Sequence, residues 1–191
     1  MRLGLVSDIH GAHQALRRAL SLMSPIDRLV CLGDSIRQSQ FCNETIGILR
    51  AENAVVLRGN HEDAFFESPA AHAPDVDPAL SDWLRVQPAQ TTLNVANRRL
   101  LLAHSTPWPS NHAYVPPTHR DFARFATTAR DHGADAALYG HTHMPVVLTL
   151  DNVLVINPGS VGEGYPTQTG FMRTCAVLDL TAMSAQIIDL D

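Results

Sequence analysis

Eight side chains capable of ligating a metal stand in short polar turns, each directly after an apolar run. They are Asp8 and His10, Asp34, Asn60 and His61, His104, and the pair His141 and His143. Imidazole nitrogens combined with carboxylate and amide oxygens form a ligand set of intermediate hardness. Such a set suits Mn, Fe or Zn better than Ca, and it is not that of a thiolate-bound metal. One ion with open positions needs fewer donors than these, so two ions are the natural count. Two cations about 3.5–4 Å apart share a ligand, and a carboxylate is well suited to bridge them. The chemistry open to such a pair is acidification of a water and neutralisation of developing oxyanions.

Each piece is weak alone. An Asp-x-His after a strand is usually a turn or a cap, and a lone Gly-Asp carries almost nothing. Gly140-His141-Thr142-His143 is more suggestive, because two imidazoles one residue apart at a strand end face a common point. The weight lies in their joint occurrence.

The elements that must position these groups are legible as apolar runs. Residues 2–6 read as a central strand covered on both faces. A helix follows, with Leu16, Ala19, Leu20 and Met23 on one face and Arg17 and Arg18 facing out, and Ser24-Pro25 ends it. Arg28–Leu32 is a second buried strand stopping at Gly33-Asp34. A short helix over Glu44–Ala51 leads to a third strand, Ala54–Leu57, and to Gly59-Asn60-His61-Glu62. Glu62 orients His61 or caps a following helix; the residues alone leave both readings open.

Pro69, Pro74 and Pro78 interrupt the next section, where Ala79–Val86 makes a short helix carrying Trp83 inward. Thr91–Val95 and Arg99–Ala103 form a hairpin about Ala96-Asn97. A proline-rich loop, with Trp108, His112 and Tyr114 as a candidate wall of the site, precedes a helix from about residue 118 to 132. Strands follow at Ala136–Tyr139, Val146–Leu150, Val153–Ile156, Cys175–Leu180 and Ala185–Leu190. There is no internal repeat or linker, so residues 1–191 read as a single domain. Helices alternate with strands early and hairpins come late, which predicts an α/β or α+β sandwich with mixed sheets. In open α/β sheets the crevice lies beyond the carboxyl ends of strands, where all of these polar turns would converge.

Composition narrows the alternatives. Hydrophobic residues make up 45% and charged residues 17%, which argues for a packed domain and against disorder. A net charge of -5 argues against a broad basic face for long nucleic acid. Cys31, Cys42 and Cys175 form no C-x-x-C pair, so neither a disulfide framework nor a thiolate zinc site is indicated. No apolar run approaches the roughly 18 residues of a membrane span, and no signal-type segment precedes the first strand, so a cytoplasmic location is expected. His13, His72, His119 and His132 fit no motif and are expected at the surface or at caps.

The ordered set Asp8-Ile9-His10, Gly33-Asp34, Gly59-Asn60-His61-Glu62, His104 and Gly140-His141-Thr142-His143 resembles the calcineurin-like metallophosphoesterase superfamily. The tail Asn157-Pro158-Gly159-Ser160-Val161-Gly162 is similar to that of its small single-domain bacterial members. The resemblance implies a four-layer α/β/β/α sandwich of two mixed sheets flanked by helices, with a dimetal site at one edge. It implies that Asp8, His10 and His143 hold one metal, that Asp34 bridges, and that Asn60, His104 and His141 complete the second. It makes His61 the catalytic imidazole and Arg58 a candidate clamp on substrate phosphate.

The implied cofactor is two divalent ions, Mn²⁺ foremost, with Fe, Zn or Ni as alternatives. The implied reaction is hydrolysis of a small phosphomonoester or phosphodiester through a metal-bridging hydroxide. Ser35-Ile36-Arg37-Gln38-Ser39 departs from the protein Ser/Thr phosphatase continuation and weakens that assignment. A non-catalytic scaffold of the same fold, binding a protein partner, is the competing reading; such relatives typically lack the imidazole that stands here as His61.

Overall fold

The computed structural model describes residues 1–110 and 112–191. The chain runs β1 (Arg2–Val6), α1 (His13–Met23), β2 (Arg28–Cys31), α2 (Asn43–Ala51), β3 (Val55–Val56) and α3 (Asn60–Glu67). A 3₁₀ turn at Pro69–His72 leads to α4 (Pro78–Arg85), then β4 (Gln90–Val95), β5 (Arg98–Ala103), α5 (Arg124–Asp131) and β6 (Ala136–Leu138). The last third is all strand: β7 (Val146–Leu150), β8 (Val153–Asn157), β9 (Tyr165–Thr167), β10 (Gly170–Met172), β11 (Thr174–Asp179) and β12 (Ser184–Asp189).

Two five-stranded mixed sheets result, in the orders β12-β11-β1-β2-β3 and β4-β5-β6-β8-β7, with β9-β10 as a separate hairpin. β1, β2 and β3 are parallel neighbours, as are β5, β6 and β8. Alternation along each strand builds the layers. Leu3, Leu5 and Val30 point between the sheets, against Leu100, Leu102, Leu138 and Ile156. Val6, Cys31 and Val56 point the other way, onto Leu16, Ile46, Leu49 and Phe65 of the helices. On the far side, Leu101, Ala137 and Val155 take Phe125, Ala126 and Ala129 of α5. The four-layer α/β/β/α sandwich is therefore borne out. A strand buried on both faces reads as a continuous apolar run, which is why β1 shows no polar alternation.

Three local features differ from the expected ones. The helix placed over residues 118–132 forms only from Arg124. Before it the chain makes tight turns, with the N–H of His119 donating to Pro116 O and that of Phe122 to His119 O. These turns set Val115 and Phe122 into the outer core beside Tyr139, a packing gain that overrides helix propensity. In α4 the fully buried residue is Leu84, while Trp83 is half-buried against the same cluster. The β9–β10 hairpin has no counterpart among the expected elements, because three-residue strands that are largely exposed carry no periodic signal. In the proline-rich loop, residue 111 lies outside the described residues.

Candidate metal centre

The carboxyl ends of β1, β2, β3, β5 and β6 open on one crevice, and each delivers its polar turn there. Among the described residues, three groups of side chains have ligand atoms within 4.8 Å of one another at this crevice. They are Asp8, His10 and His143; His10, Asp34 and His61; and Asp34, His104 and His141. Asp34 thus belongs to two of them. Asn60 joins the last, its Oδ1 lying 3.1 Å from His104 Nε2.

The backbone is forced into an unusual conformation to achieve this. Asp8, His10, Asp34, His141 and His143 have φ of 52°, 49°, 51°, 64° and 57°, in the left-handed region that costs non-glycine residues energy. Such strain persists only where surrounding bonds fix it. The N–H groups of Asp8, His10 and Gly11 donate to the carbonyls of Gly33, Asp34 and Ser35, each at 3.0 Å, tying the β1 turn to the β2 turn. Val161 N–H and Gly162 N–H donate to Ser7 O and Asp8 O, so the segment after β8 braces the same loop. Two glycines make the close approach possible. A Cβ on Gly59 would sit 2.1 Å from Asp34 Oδ1, and one on Gly140 would sit 1.9 Å from Ser7 Oγ.

Second partners aim the ligand atoms inward. Asp8 Oδ2 accepts from Ser7 Oγ at 2.6 Å and from His141 N–H at 3.0 Å. That leaves Asp8 Oδ1 buried with no hydrogen-bond partner, 3.3 Å from His143 Nε2 and 3.9 Å from His10 Nε2. An orphaned, charged oxygen between two imidazole nitrogens fits a cation among these groups, because leaving it unpaired is expensive. His104 Nδ1 donates to Leu32 O at 2.8 Å and His143 Nδ1 to Gly164 O at 3.3 Å, directing both Nε2 atoms to the crevice. His10 Nε2 lies 3.3 Å from His143 Nε2.

Charge follows the geometry. Burial opposes protonation of His104, but the Asp34 carboxylate 3.3 Å away overrides it and raises the imidazole to about 10. Burial likewise opposes ionisation of Asp34, and His104 with His61 holds it well below the usual carboxylate range. Asp8 is lowered against its burial by the neighbouring His143. His10 and His141 are pushed down, first by burial, toward the neutral form that ligates metals.

Glu62 settles into a role the residues alone left open. It is fully buried, and its Oε1 accepts from Ser35 N–H, Ser35 Oγ and Ile36 N–H while Oε2 accepts from Asp34 N–H and Gly59 N–H. It caps α3 and clamps the turn that carries Asp34. Asn157 acts similarly on the paired histidines, donating to Gly140 O and Thr142 Oγ1. Both residues stand in motifs that the sequence displays, but their partners, mostly backbone groups of other turns, are not marked there. Arg58 is engaged by Asp63 and by Arg85 O, and lines a cavity of about 180 Å³ beside His104. His112 O accepts from His141 Nε2 and Tyr114 donates to Thr142 O, so the proline-rich loop does abut the crevice.

A family model, the calcineurin-like phosphoesterase superfamily domain, matches residues 1–183, and the chain belongs to that superfamily. Among individual relatives, phosphodiesterase YfcE of Escherichia coli (strain K12) is 27% identical over 209 residues, covering 98% of this chain and 95% of its own. A metallophosphoesterase structure from Sphaerobacter thermophilus superposes with a TM-score of 0.73 at 21% identity, covering all of this chain and 89% of that one. Vps29 from Entamoeba histolytica, solved with Zn²⁺, superposes at 0.61 and 16% identity over 100% of both chains. Among the described residues, no helix is long and apolar enough to cross a membrane.

Proposed function

We propose that this chain is a dinuclear metal-dependent phosphodiesterase acting on a small phosphate ester. The observation that carries the reading is Asp34, buried and common to two ligand groups, with the orphaned Asp8 Oδ1 set against His143 and His10. Asp8, His10 and His143 would hold one cation, Asn60, His104 and His141 the other, and Asp34 both. Mn²⁺ is the first candidate, and the N/O donor set also accepts Fe, Zn or Ni. When bound, such a pair supplies an acidified water for in-line attack and positive charge against the phosphoryl oxygens. Two dications less the charges of Asp8 and Asp34 leave about +2 in the crevice, enough to draw phosphate to a net-negative protein. The likeness to the E. coli phosphodiesterase favours a diester over a monoester.

The residues around the cations would divide the remaining work. Gln38 N–H donates to His61 Nδ1 at 3.3 Å, which places the proton of the neutral ring on Nε2. His61 N–H donates to Asp34 Oδ1, and its ring stands 4.5 Å from that of His10, at the edge of the crevice. Doubly protonated, His61 would give its Nε2 proton to the departing alkoxide and return to a neutral ring. Arg58 and Trp108, in the small cavity beside His104, form a wall against which the ester's remaining group rests.

His61→Ala should lower turnover about 10²- to 10⁴-fold, the usual worth of general acid–base catalysis. Both metals should remain, as read by elemental analysis. Rates on matched monoester and diester substrates that are unchanged in this variant would overturn the enzyme reading in favour of a scaffold.

Proton competition gives a second test. In the metal-free chain the His104–Asp34 pair contributes stability that is complete below pH 6.5 and is lost as pH rises through about 10. Cation binding must remove the His104 proton. The apparent affinity for Mn²⁺ should therefore rise about tenfold per pH unit from roughly pH 7 to 9, with one proton released. Titration calorimetry in buffers of different ionisation enthalpy reads that proton, and a flat pH dependence would sink the assignment of His104.

A further inference from the structure

A separate cluster of ligand-type side chains lies where the start of α1 meets the start of α2. His13 opens α1, Cys42 is the N-cap of α2, and Glu44 lies in its first turn. Each offers one donor atom, and the three atoms lie within 4.8 Å of one another. Cys42 Sγ is 4.0 Å from His13 Nδ1 and 3.5 Å from Glu44 Oε2. Zinc bonds of about 2.3 Å to sulfur and about 2.0–2.1 Å to nitrogen or oxygen, at a tetrahedral angle, put such donors about 3.5 Å apart. The cluster therefore closes on a cation of that size with small movements of His13 and Glu44.

The hydrogen bonding around the sulfur points the same way. Its single proton faces two acceptors, Gly11 O at 3.4 Å and the Glu44 carboxylate at 3.5 Å. The buried Thr45 hydroxyl meanwhile donates into the sulfur at 3.2 Å. One S–H cannot serve both oxygens, whereas a cation satisfies sulfur and carboxylate together, the thiol proton passing to solvent. Three protein ligands leave a fourth position open. The cluster lines a cavity of about 500 Å³ whose wall also includes His10, Arg37 and Asn43.

We infer that His13, Cys42 and Glu44 form a distinct site for one borderline-soft divalent cation such as Zn²⁺, separate from the phosphoesterase centre. Cysteine spacing in the sequence concealed it, because the thiolate stands alone and its partners come from a neighbouring helix and from the next turn.

Co²⁺ tests this without reference to turnover. The phosphoesterase centre offers only nitrogen and oxygen donors, and Cys31 and Cys175 are buried in the fold. A thiolate-to-Co²⁺ charge-transfer band in the near ultraviolet therefore reports on Cys42. The metal-stripped full chain titrated with Co²⁺ should develop that band with the final intensity of one thiolate-bound ion per chain, beside the two ions taken by the other centre. Cys42→Ser should abolish the band and lower the Zn²⁺ content of the loaded protein by one equivalent. His13→Gln should weaken Co²⁺ binding at this site at least tenfold, and Asp34→Asn, altered at the other centre, should keep the band. Absence of the band in the folded wild-type chain at excess Co²⁺, or its survival in Cys42→Ser, would overturn the inference.

Discussion

Asp34→Asn should lower phosphoesterase turnover by at least about 10³-fold, because several kilocalories per mole of transition-state charge stabilisation would depend on the cations proposed to bind there. The substitution preserves shape and keeps an acceptor for His61 N–H, which is 2.9 Å from Asp34 Oδ1. What it removes is charge. Asp34 shares ligand groups with His10, proposed for the first cation, and with His104 and His141, proposed for the second, so its neutralisation would weaken both cation positions at once. Metal content should fall together with rate, in contrast to His61→Ala, in which rate falls alone. Elemental analysis and initial rates on both variants separate the two. An Asp34→Asn variant with the metal content and turnover of the wild type would remove the basis for a shared ligand.

Why Asp34 could be singled out from sequence, and other groups could not, has a physical explanation. Ligand side chains follow apolar runs, and the runs are visible because β1, β2 and β5 are buried on both faces. The sheet order then brings the ends of β1, β2 and β3 side by side, and β5 and β6 across from them. The mixed α/β class and the candidate ligand set thus follow from periodicity and order, whereas the four-layer arrangement and the role of each candidate come with the family resemblance. Motif order does not reveal how the turns are held. Left-handed φ at Asp8, His10, Asp34, His141 and His143 falls on residue types enriched in that region, but Asp and His occur in many other conformations and so do not announce it. The supports are backbone groups reached by Ser160 and Asn157, which lie 152 and 17 residues along the chain from their partners Asp8 and Gly140. The first of these contacts exists only once both sheets have assembled, and the second once β6 and β8 have paired. For the same reason the truncated α5 was not legible: Phe122 leaves the helical path for a core defined by β5, β6 and β8.

Glu62→Ala should destabilise the fold by about 3–5 kcal/mol, since removing a buried acceptor leaves several backbone donors unsatisfied at roughly 1–3 kcal/mol each before relaxation. Four backbone N–H groups and one hydroxyl converge on its carboxylate at 2.6–3.2 Å, and the residue has no solvent exposure. For a chain of this size that corresponds to a fall in melting temperature of roughly 10 °C. Glu62→Gln should rescue little. The four N–H partners can only donate, so the amide nitrogen of Gln must face two of them in either orientation. The damage is not confined to stability. The donors are those of Gly59, Asp34, Ser35 and Ile36, so the turn presenting Asp34 loosens with the start of α3, which carries Asn60 and His61. Metal affinity should fall in the fraction that remains folded, and added Mn²⁺ should restore part of the lost melting temperature by mass action. A Glu62→Ala protein that melts within about 2 °C of the wild type in chelator would show that the turn is held by other contacts, because the predicted loss is several times larger.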